Sequence, residues 1–274
     1  KTFVSYLFFF GIGGFLHFKY YVGKKDTPEE WKCQPNKWLS AKEEIHEIIV
    51  GLFSLTIGSI LSSFLATWVM NGGYTTIYYE FGKYGYLWSI LELPIAFLST
   101  DYITYWYHRV YHMPFLYKHF HKLHHTYKQP TAFSVTAIHP VEFLSIQGIY
   151  IMPMFVIPIH AAVYCGMLGY IYYHGIIDHS GITFKRLWFQ PWQPDCIFHD
   201  NHHQYFHVNF GFNVELWDKL HGTARQKDKI YREDIFYGTG KDISEATREE
   251  LMEDVRERED ENPLAYQNNK HKFI

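Results

Sequence analysis

Long apolar stretches alternate with polar, charged connections along this chain. The apolar stretches cover residues 3–18, 48–70, 87–107 and 143–177. At a rise of about 1.5 Å per residue, a helix over 48–70 is long enough to cross the ~30 Å hydrocarbon core of a bilayer. A buried helix of a soluble protein is the alternative, but such helices usually keep a polar face. The pattern therefore predicts helices embedded in a membrane.

The third and fourth apolar stretches each carry a feature that a simple spanning helix lacks. Glu92 and Asp101 interrupt the third stretch, and charges inside a span usually face a polar interior or a site. Pro153 and Pro158 divide the fourth stretch, which is too long for one straight membrane helix. We therefore expect two helices that enter and leave the membrane as a hairpin.

The distribution of basic residues indicates an orientation. The connection 19–42 carries six lysines, whereas 71–86 carries only Lys83. The positive-inside rule places the first connection in the cytosol and the second outside. The third helix and the hairpin then return residues 108–140 and 178–274 to the cytosolic side.

The C-terminal part of the chain has a different pattern. Residues 243–260 form a charged helical sequence in which Thr247 and Glu250 can make a capping box, so a solvated surface helix is expected there. The predicted fold is all-α: an integral membrane bundle of about four embedded helices, the last forming a hairpin, with a cytosolic helical cap rich in histidine.

Composition narrows the class of protein. Across 274 residues, 25 Lys and Arg against 28 Asp and Glu give a net charge of −3, which does not favour nucleic-acid binding. An apolar fraction of 47% excludes extensive disorder. Cys33, Cys165 and Cys196 are too few for a disulfide framework, so a secreted, disulfide-stapled fold is not expected.

Histidine is unusually abundant, with 18 residues, and eight of these fall in three clusters. The clusters are HRVYH at 108–112, HKLHH at 121–125 and HDNHH at 199–203. Because helical residues three or four apart share a face, the histidines of each cluster are predicted to point the same way. Pro114 ends the first helix, which lets the second cluster turn back toward the first.

These clusters predict a metal site. Imidazole is the most common biological metal ligand, and eight clustered histidines exceed the needs of one tetrahedral zinc ion. Two ions of higher coordination number fit better. Imidazole binds Zn, Cu, Fe and Ni alike, so the ligand type does not identify the metal. The sequence has neither the HExxH motif of zinc proteases nor the two Glu-x-x-His motifs of soluble di-iron proteins. A proton-buffering or interfacial histidine patch is the remaining alternative.

The order HxxxH, HxxHH and HxxHH, with apolar stretches before and between the boxes, resembles the fatty acid hydroxylase/sterol desaturase superfamily of membrane di-iron oxygenases. The resemblance covers about residues 101–223 and is closest to sterol C5-desaturases (lathosterol oxidases) and C4-methylsterol oxidases. Other segments that carry it are TAF at 131–133, HP at 139–140, DHSG at 178–181, FHD at 198–200, NFG at 209–211 and LWDKLHGT at 216–223.

The resemblance implies a lipid desaturase or hydroxylase of the endoplasmic reticulum membrane. Its cofactors are two iron ions (Fe2+/Fe3+) with O2 as co-substrate, and its substrate is a sterol or an acyl lipid. Electrons are expected from an external carrier such as cytochrome b5 and its NAD(P)H reductase. The C-terminal sequence KHKFI at 270–274 is similar to a dilysine-type retrieval signal.

The resemblance also divides the chain and assigns ligands. We expect N-terminal membrane helices and loops over 1–100, the catalytic domain with its membrane hairpin over 101–223, and a charged cytosolic tail over 224–274. Nine histidines are the expected metal ligands and catalytic residues: His108, His112, His121, His124, His125, His179, His199, His202 and His203.

Further groups are expected around these ligands, because a ligating histidine usually donates its second ring N–H to a carboxylate or carbonyl. Asp101 and Asp178 are the expected carboxylates, and His207 is a further ligand or orienting imidazole. His174 and His139 are weaker candidates. A lipid pocket is expected among residues of the third helix and the hairpin, such as Phe97, Tyr105, Phe155 and Tyr172.

Other functions stay open beside sterol oxidation. A hydroxylase of fatty acyl lipids, sphingolipids or alkylglycerols would use the same histidine boxes. A non-catalytic member of the family could serve as a subunit of a membrane complex. The intact histidine boxes argue against this, because a site that no longer catalyses a reaction tends to lose its metal ligands. A metal-handling membrane protein is a third possibility, but transport usually places ligands inside the span.

Overall fold

The computed structural model describes residues 2–266, with side chains from residue 4 onward, and it is mostly helical. The expected retrieval signal at 270–274 and His271 lie outside the described residues. The α-helices are α1 (Thr2–Tyr6), α2 (Gly14–Leu16), α3 (Ala41–Met70), α4 (Tyr86–Tyr111), α5 (Pro114–His119), α6 (Pro140–Ile151), α7 (Pro153–Val156), α8 (Ala161–Asp178), α9 (Cys196–Tyr205), α10 (Leu216–His221) and α11 (Arg248–Glu259).

Short elements complete the fold. The strands form two pairs, with β1 (Ile77–Tyr78) parallel to β2 (Ile159–His160) and β3 (Lys229–Ile230) antiparallel to β4 (Lys241–Asp242). Over residues 2–266 no larger sheet is present, so the mainly helical prediction is confirmed. The 3-10 helices are Pro28–Glu30, His121–Thr126, Ser134–Thr136, Ile243–Glu245 and Pro263–Tyr266.

Helix α3 is the long apolar helix that the second stretch predicts. It starts with a capping box, in which Ser40 Oγ accepts from Glu43 N–H and the Glu43 carboxylate accepts from Ser40 N–H. Its 30 residues span about 45 Å, and its apolar surface, including Phe53 and Phe64, is mostly exposed. Within the described chain it is the one helix long and apolar enough to cross a membrane. The number of four embedded helices therefore stays a prediction.

Helix α4 carries the third apolar stretch and, as predicted, turns its two acidic residues inward. Glu92 and Asp101 are both buried, whereas apolar side chains such as Leu87 and Ile90 are exposed. The Glu92 carboxylate accepts hydrogen bonds from Tyr78 Oη at 2.8 Å and from the backbone N–H of His160 at 2.9 Å. Each charge thus has polar partners inside the protein.

The fourth apolar stretch forms two helical arms with a break between them; that this hairpin lies in a membrane stays a prediction. Helices α6 and α7 lead up to a break near the two prolines, and α8 returns from it. The β1–β2 pair holds the tip, where His160 Nε2 lies 3.1 Å from the carbonyl oxygen of Tyr79. The hairpin and α3 pack around Phe143 and Leu55.

The N-terminal apolar stretch is a continuous helical segment over residues 2–22. Helices α1 and α2 alternate there with π-helical turns at Leu7–Gly13 and His17–Val22. Phe9 is fully buried, and its ring centroid lies 5.0 Å from that of Phe133. This packing attaches the first segment to the loop that follows the second histidine cluster.

The C-terminal segment makes more contacts with the core than a solvated surface helix, which is what the sequence predicted, would make. Helix α11 begins with the predicted capping box of Thr247 and Glu250. The residues that follow it return to the body of the protein, where Asn262 Nδ2 donates to the carbonyl oxygen of Lys32 at 2.8 Å and Ala265 is buried.

The same segment covers helix α9. Gln204 Nε2 donates to the carbonyl oxygen of Glu257 at 2.6 Å, and Asn201 Nδ2 donates to Tyr266 Oη at 3.0 Å. Tyr205 Oη also bonds to the carboxylate of Glu261. Residues 257–266 therefore complete the buried environment of a helix that carries three of the clustered histidines.

Candidate metal centre

Four separate parts of the fold bring the clustered histidines together. The last turn of α4 carries His108, and His112 is the residue that ends this helix. After a sharp turn and α5, the 3-10 helix over 121–126 supplies the second cluster. His179 follows the last residue of α8, and α9 supplies the third cluster. All nine expected ligands are buried.

The nine side chains form two neighbouring groups, and within each group the candidate ligand atoms lie within 4.8 Å of one another. The five-histidine group consists of His108, His112, His121, His125 and His202. The four-histidine group consists of His124, His179, His199 and His203.

The two HxxHH segments each contribute to both groups, which corrects the expectation that each cluster points one way. His124 and His125 separate into different groups, and so do His203 and His202. The reason is geometric, because consecutive residues point about 100° apart in the α-helix α9 and about 120° apart in the 3-10 helix. Each pair of adjacent histidines therefore bridges the two groups.

Hydrogen bonds to backbone carbonyls set the ring orientation of four of the nine imidazoles. Each of these imidazoles has Nδ1 at 2.7–3.1 Å from a carbonyl oxygen, which requires the proton on Nδ1 and leaves the lone pair on Nε2. The pairs are His108 with Phe210, His179 with Gly175, His202 with Val208, and His203 with Tyr127.

The Nε2 atoms then face each other inside the two groups. His121 and His125 have Nε2 atoms 3.1 Å apart, and His179 Nε2 lies 3.2 Å from His124 Nε2 and 2.9 Å from His199 Nε2. Two Nε2 atoms at this separation share either the proton of an N–H···N hydrogen bond or a metal cation. Around an ion with metal–nitrogen bonds of about 2.1 Å, adjacent ligands are about 3 Å apart, so the geometry fits metal binding.

Further Nε2 atoms are available for a metal. In the described part of the chain, Nε2 of His108, His112, His202 and His203 is buried without a hydrogen-bond partner. A buried polar atom without a partner is costly, and coordination to an ion would satisfy each of the four. The two groups therefore fit two transition-metal ions held entirely by imidazole, which suits several metals.

Burial keeps these imidazoles neutral, as a ligand must be. Removal from water lowers the pKa of His124, His125, His199, His202 and His203 well below the usual value, and neighbouring histidines lower it further. Burial also lowers the pKa of His179 to about 4. At neutral pH the rings thus need not lose a proton before they bind metal.

Glu142 is a functional candidate that the sequence reasoning missed. Its Oε1 lies 2.5 Å from Nδ1 of His121, and both side chains are buried. A carboxylate in this position accepts the Nδ1 proton and raises the basicity of Nε2 toward a metal. The available signal was its place in the sequence, as the last charged residue before the uncharged run 143–177.

His207 lies where the sequence predicted an orienting imidazole. Its Nδ1 is 2.9 Å from Nδ1 of His112, and its Nε2 is 2.9 Å from the carbonyl oxygen of Glu233. Because Nε2 must carry the proton that this carbonyl accepts, Nδ1 of His207 accepts from Nδ1–H of His112. His112 therefore also presents the lone pair of Nε2 to the five-histidine group.

The two expected carboxylates lie near the site but touch other partners. Asp101 accepts from Asn213 Nδ2 and from Trp217 Nε1, both at 2.8 Å, and not from His108. The Oδ2 atom of Asp178 lies 3.1 Å from Nδ1 of His174, which belongs to neither group. Neither carboxylate therefore orients a clustered histidine directly.

Asp218 supports the site through the backbone. Its buried carboxylate accepts from the N–H of Phe210 at 2.8 Å, the N–H of Gly211 at 2.6 Å and Thr223 Oγ1 at 2.6 Å. These bonds fix the loop whose Phe210 carbonyl orients His108. Burial raises the pKa of Asp218 to about 6.

Other histidines have local roles in the structure. His139 Nδ1 accepts from the N–H of Val141 at the start of α6, and His221 stacks on Tyr105. His119 is exposed, with Nδ1 2.8 Å from the carbonyl oxygen of Phe115.

An apolar cavity of about 430 Å³ reaches the four-histidine group between α3 and the hairpin. His179 and Phe212 line its inner end, and the Phe212 ring centroid is 4.7 Å from that of His108 and 5.5 Å from that of His199. Such a volume is in the range of small-molecule sites.

The expected pocket residues are largely elsewhere. Tyr172 lines the cavity, but Phe97 and Phe155 pack into the core around Met154, and Tyr105 Oη bonds to Thr223.

Residues 93–223 match the family model described as fatty acid hydroxylase. No solved structure matches the chain at a significant level.

Among individual proteins, the chain is similar to enzymes of sterol desaturation. It is 36% identical over 156 residues to a lathosterol oxidase of Rattus norvegicus, a match that covers 56% of this chain and 52% of that protein. It is 31% identical over 189 residues to a Delta(7)-sterol 5(6)-desaturase of Aspergillus fumigatus, covering 68% and 52%. A Delta(7)-sterol 5(6)-desaturase of Schizosaccharomyces pombe is 31% identical over 214 residues, covering 77% and 62%. The chain thus spans about half the length of the first two relatives.

Proposed function

We propose that this protein is a membrane di-iron oxidoreductase that desaturates a sterol at C5. The observation that carries the proposal is the pair of buried histidine groups at the inner end of an apolar cavity. The family and the sterol-desaturase relatives supply the reaction class.

The nine clustered histidines would hold two iron ions, five imidazoles on one side and four on the other. Iron bound there supplies the reduction of O2 and the oxidising power to remove hydrogen from an unactivated C–H bond. In balance, the reaction takes one hydrogen from each of two adjacent carbons and reduces O2 to two waters, using two electrons and two protons from a donor.

The protein's own residues prepare this chemistry. Backbone carbonyls, Glu142 and His207 orient six of the nine histidine rings so that their Nε2 atoms face inward: His108, His112, His121, His179, His202 and His203. The apolar cavity excludes water and places a lipid beside His179 and Phe212, where both histidine groups are within reach.

The setting of the reaction follows from the apolar surface and the charges. We place α3, α4, the hairpin and the N-terminal segment in the endoplasmic reticulum membrane as about four embedded helices, with the histidine site on the cytosolic side. Residues 101–223 would be the catalytic domain between the N-terminal membrane region, 1–100, and the tail, 224–274. Electrons would come from a separate carrier such as cytochrome b5 and its NAD(P)H reductase.

Expression of the full protein in cells that lack sterol C5-desaturase and accumulate a Δ7-sterol tests the proposal. Gas chromatography with mass spectrometry should show the Δ5,7-sterol, and the purified protein should contain two irons per chain. His124→Ala and His202→Ala, one from each group, should abolish turnover and lower bound iron while the protein stays in the membrane. His119→Ala, at an exposed histidine outside both groups, is the matched control.

Other products would redirect the assignment. Hydroxylated sterol or acyl lipid in place of the desaturated sterol would indicate a hydroxylase of the same family. A protein without bound iron and without O2-dependent product would refute an enzymatic role and favour a subunit of a membrane complex.

A further inference from the structure

Polar groups lie at the inner end of the mainly apolar cavity, next to the four-histidine group. His174 and Asn213 both line this end, together with His179. Both side chains are almost completely buried, at 1% and 3% exposure. Polar groups that the metal centre does not use are therefore directed at the space where a lipid would bind.

Asn213 presents a carbonyl oxygen that lacks a donor. Its Nδ2 donates to Oδ1 of Asp101 at 2.8 Å, and Trp217 holds the other carboxylate oxygen. Because a carboxylate accepts only, the amide orientation is fixed, and Oδ1 of Asn213 is the free acceptor. In the described chain this oxygen is buried without a hydrogen-bond partner.

His174 is the neighbouring polar group. Its Nδ1 is 3.1 Å from Oδ2 of Asp178, and its ring stacks on Tyr170 with centroids 5.9 Å apart. His174 is close enough to Asn213 to interact. Even so, among residues 2–266 neither of its ring nitrogens has a hydrogen bond of standard geometry.

We infer that His174 and Asn213 form a clamp for a hydroxyl group of the lipid substrate. A hydroxyl can donate its proton to Oδ1 of Asn213 and accept from Nε2–H of His174, in the tautomer whose Nδ1 accepts from a neutral Asp178 carboxyl. A ketone or a methyl ether has no proton for Asn213, so it would leave that buried acceptor without a partner. The inference rests on the proposed function and identifies the residues that select the substrate.

The position of the clamp agrees with the proposed reaction. Asn213 directly follows Phe212, whose ring lies against His108 and His199 of the two groups. In a 3-hydroxysterol the hydroxyl-bearing carbon C3 is joined through C4 to C5. A hydroxyl held between His174 and Asn213 would therefore keep C5 close to the metal centre, and the apolar cavity would receive the rest of the sterol.

The test compares a Δ7-sterol that has a free 3β-hydroxyl with its 3-methyl ether and its 3-ketone, using the full, iron-loaded protein in detergent micelles. The wild type should prefer the free hydroxyl by at least about 100-fold in kcat/KM. His174→Phe keeps an aromatic ring on Tyr170 but removes the polar atoms. It should lower this preference by at least about tenfold, through kcat/KM of the hydroxysterol and not of the ether.

Two further variants separate a clamp from a structural role. His174→Gln keeps a donor and an acceptor and should restore part of the preference. Tyr173→Phe, on the exposed side of the same helix, should behave like the wild type. Iron content should be unchanged in all three variants, because none belongs to the two histidine groups.

The outcomes distinguish failure of the clamp from failure of the proposed function. Equal turnover of sterol and methyl ether by the wild type would overturn the clamp and leave the desaturase intact. Loss of preference together with loss of iron, without rescue by His174→Gln, would also overturn it. If no sterol is turned over, equilibrium binding followed by tryptophan fluorescence decides. A binding preference for the free hydroxyl that His174→Phe removes supports the clamp, and equal binding refutes it.

Discussion

Glu142 gives a direct test of the metal centre, because it touches one histidine of one group. Its Oε1 lies 2.5 Å from Nδ1 of His121, and the side chains of Glu142 and His121 are both buried. Glu142→Gln keeps the size and an acceptor oxygen but removes the charge. Glu142→Ala removes the acceptor altogether.

The magnitude follows from the strength of this hydrogen bond. A bond to a charged group contributes about 1.5–3 kcal/mol, and a neutral one about 0.5–1.5 kcal/mol. Glu142→Gln should therefore weaken metal binding at the five-histidine group by about 1–1.5 kcal/mol, or roughly tenfold. Glu142→Ala should approach the roughly 100-fold loss seen when an orienting partner of a ligand is removed.

The assay is competition with a chelator of known affinity, with metal content per chain measured by mass spectrometry of the purified protein. One of the two ions should be released at a chelator concentration about tenfold lower in Glu142→Gln. Glu253→Gln changes a largely exposed carboxylate that pairs with Arg232 and should release metal like the wild type. Identical release curves for wild type and Glu142→Ala would refute the role of this carboxylate.

Three further predictions concern protonation, the supporting loop and the C-terminal segment. The pKa values of the buried histidines are lower in the folded protein than their usual value, so below about pH 6.5 the unfolded chain binds more protons than the folded one. Stability and bound metal should therefore fall as the pH drops from about 6.5 toward 4. A flat metal content between about pH 7 and 5 would contradict this. Asp218→Asn should destabilise the protein by about 1–3 kcal/mol in chemical unfolding, since one backbone N–H loses its acceptor, whereas the exposed Asp228→Asn should have almost no effect. Truncation after Arg256 should leave membrane insertion intact but remove most of the metal, and a fully loaded truncated protein would show that the cover over α9 is dispensable.

The sequence predicted the parts of the fold that depend on apolar patterning and local capping. The uncharged run before Met70 is α3, the two prolines mark the break of the hairpin, and Thr247 with Glu250 starts α11. These features are local, and their physical causes act within a few residues of the chain. The number of membrane helices is not a local feature. It depends on how each helix meets the bilayer, and the apolar pattern alone does not determine this.

For the candidate site, the histidines were predictable and their surroundings were not. The spacing of the boxes showed which imidazoles converge, but it could not show that adjacent histidines divide between two groups. The orienting partners are mostly backbone carbonyls, such as those of Phe210 and Gly175, which leave no signature in a sequence. Asp101 is an example. Helical spacing predicted that it lies on the same face as His108 and accepts from it, but in the structure its carboxylate accepts from Asn213 on a loop distant in sequence.

The cover that residues 257–266 place over α9 has a consequence for how the protein matures. The apolar helices are translated first, and α9 follows with three of the clustered histidines. The groups that enclose this helix, Glu257, Glu261 and Tyr266, lie further along the chain and leave the ribosome after it. Insertion into the bilayer would then precede completion of the pocket for the ions, so acquisition of metal would be a late step in biogenesis.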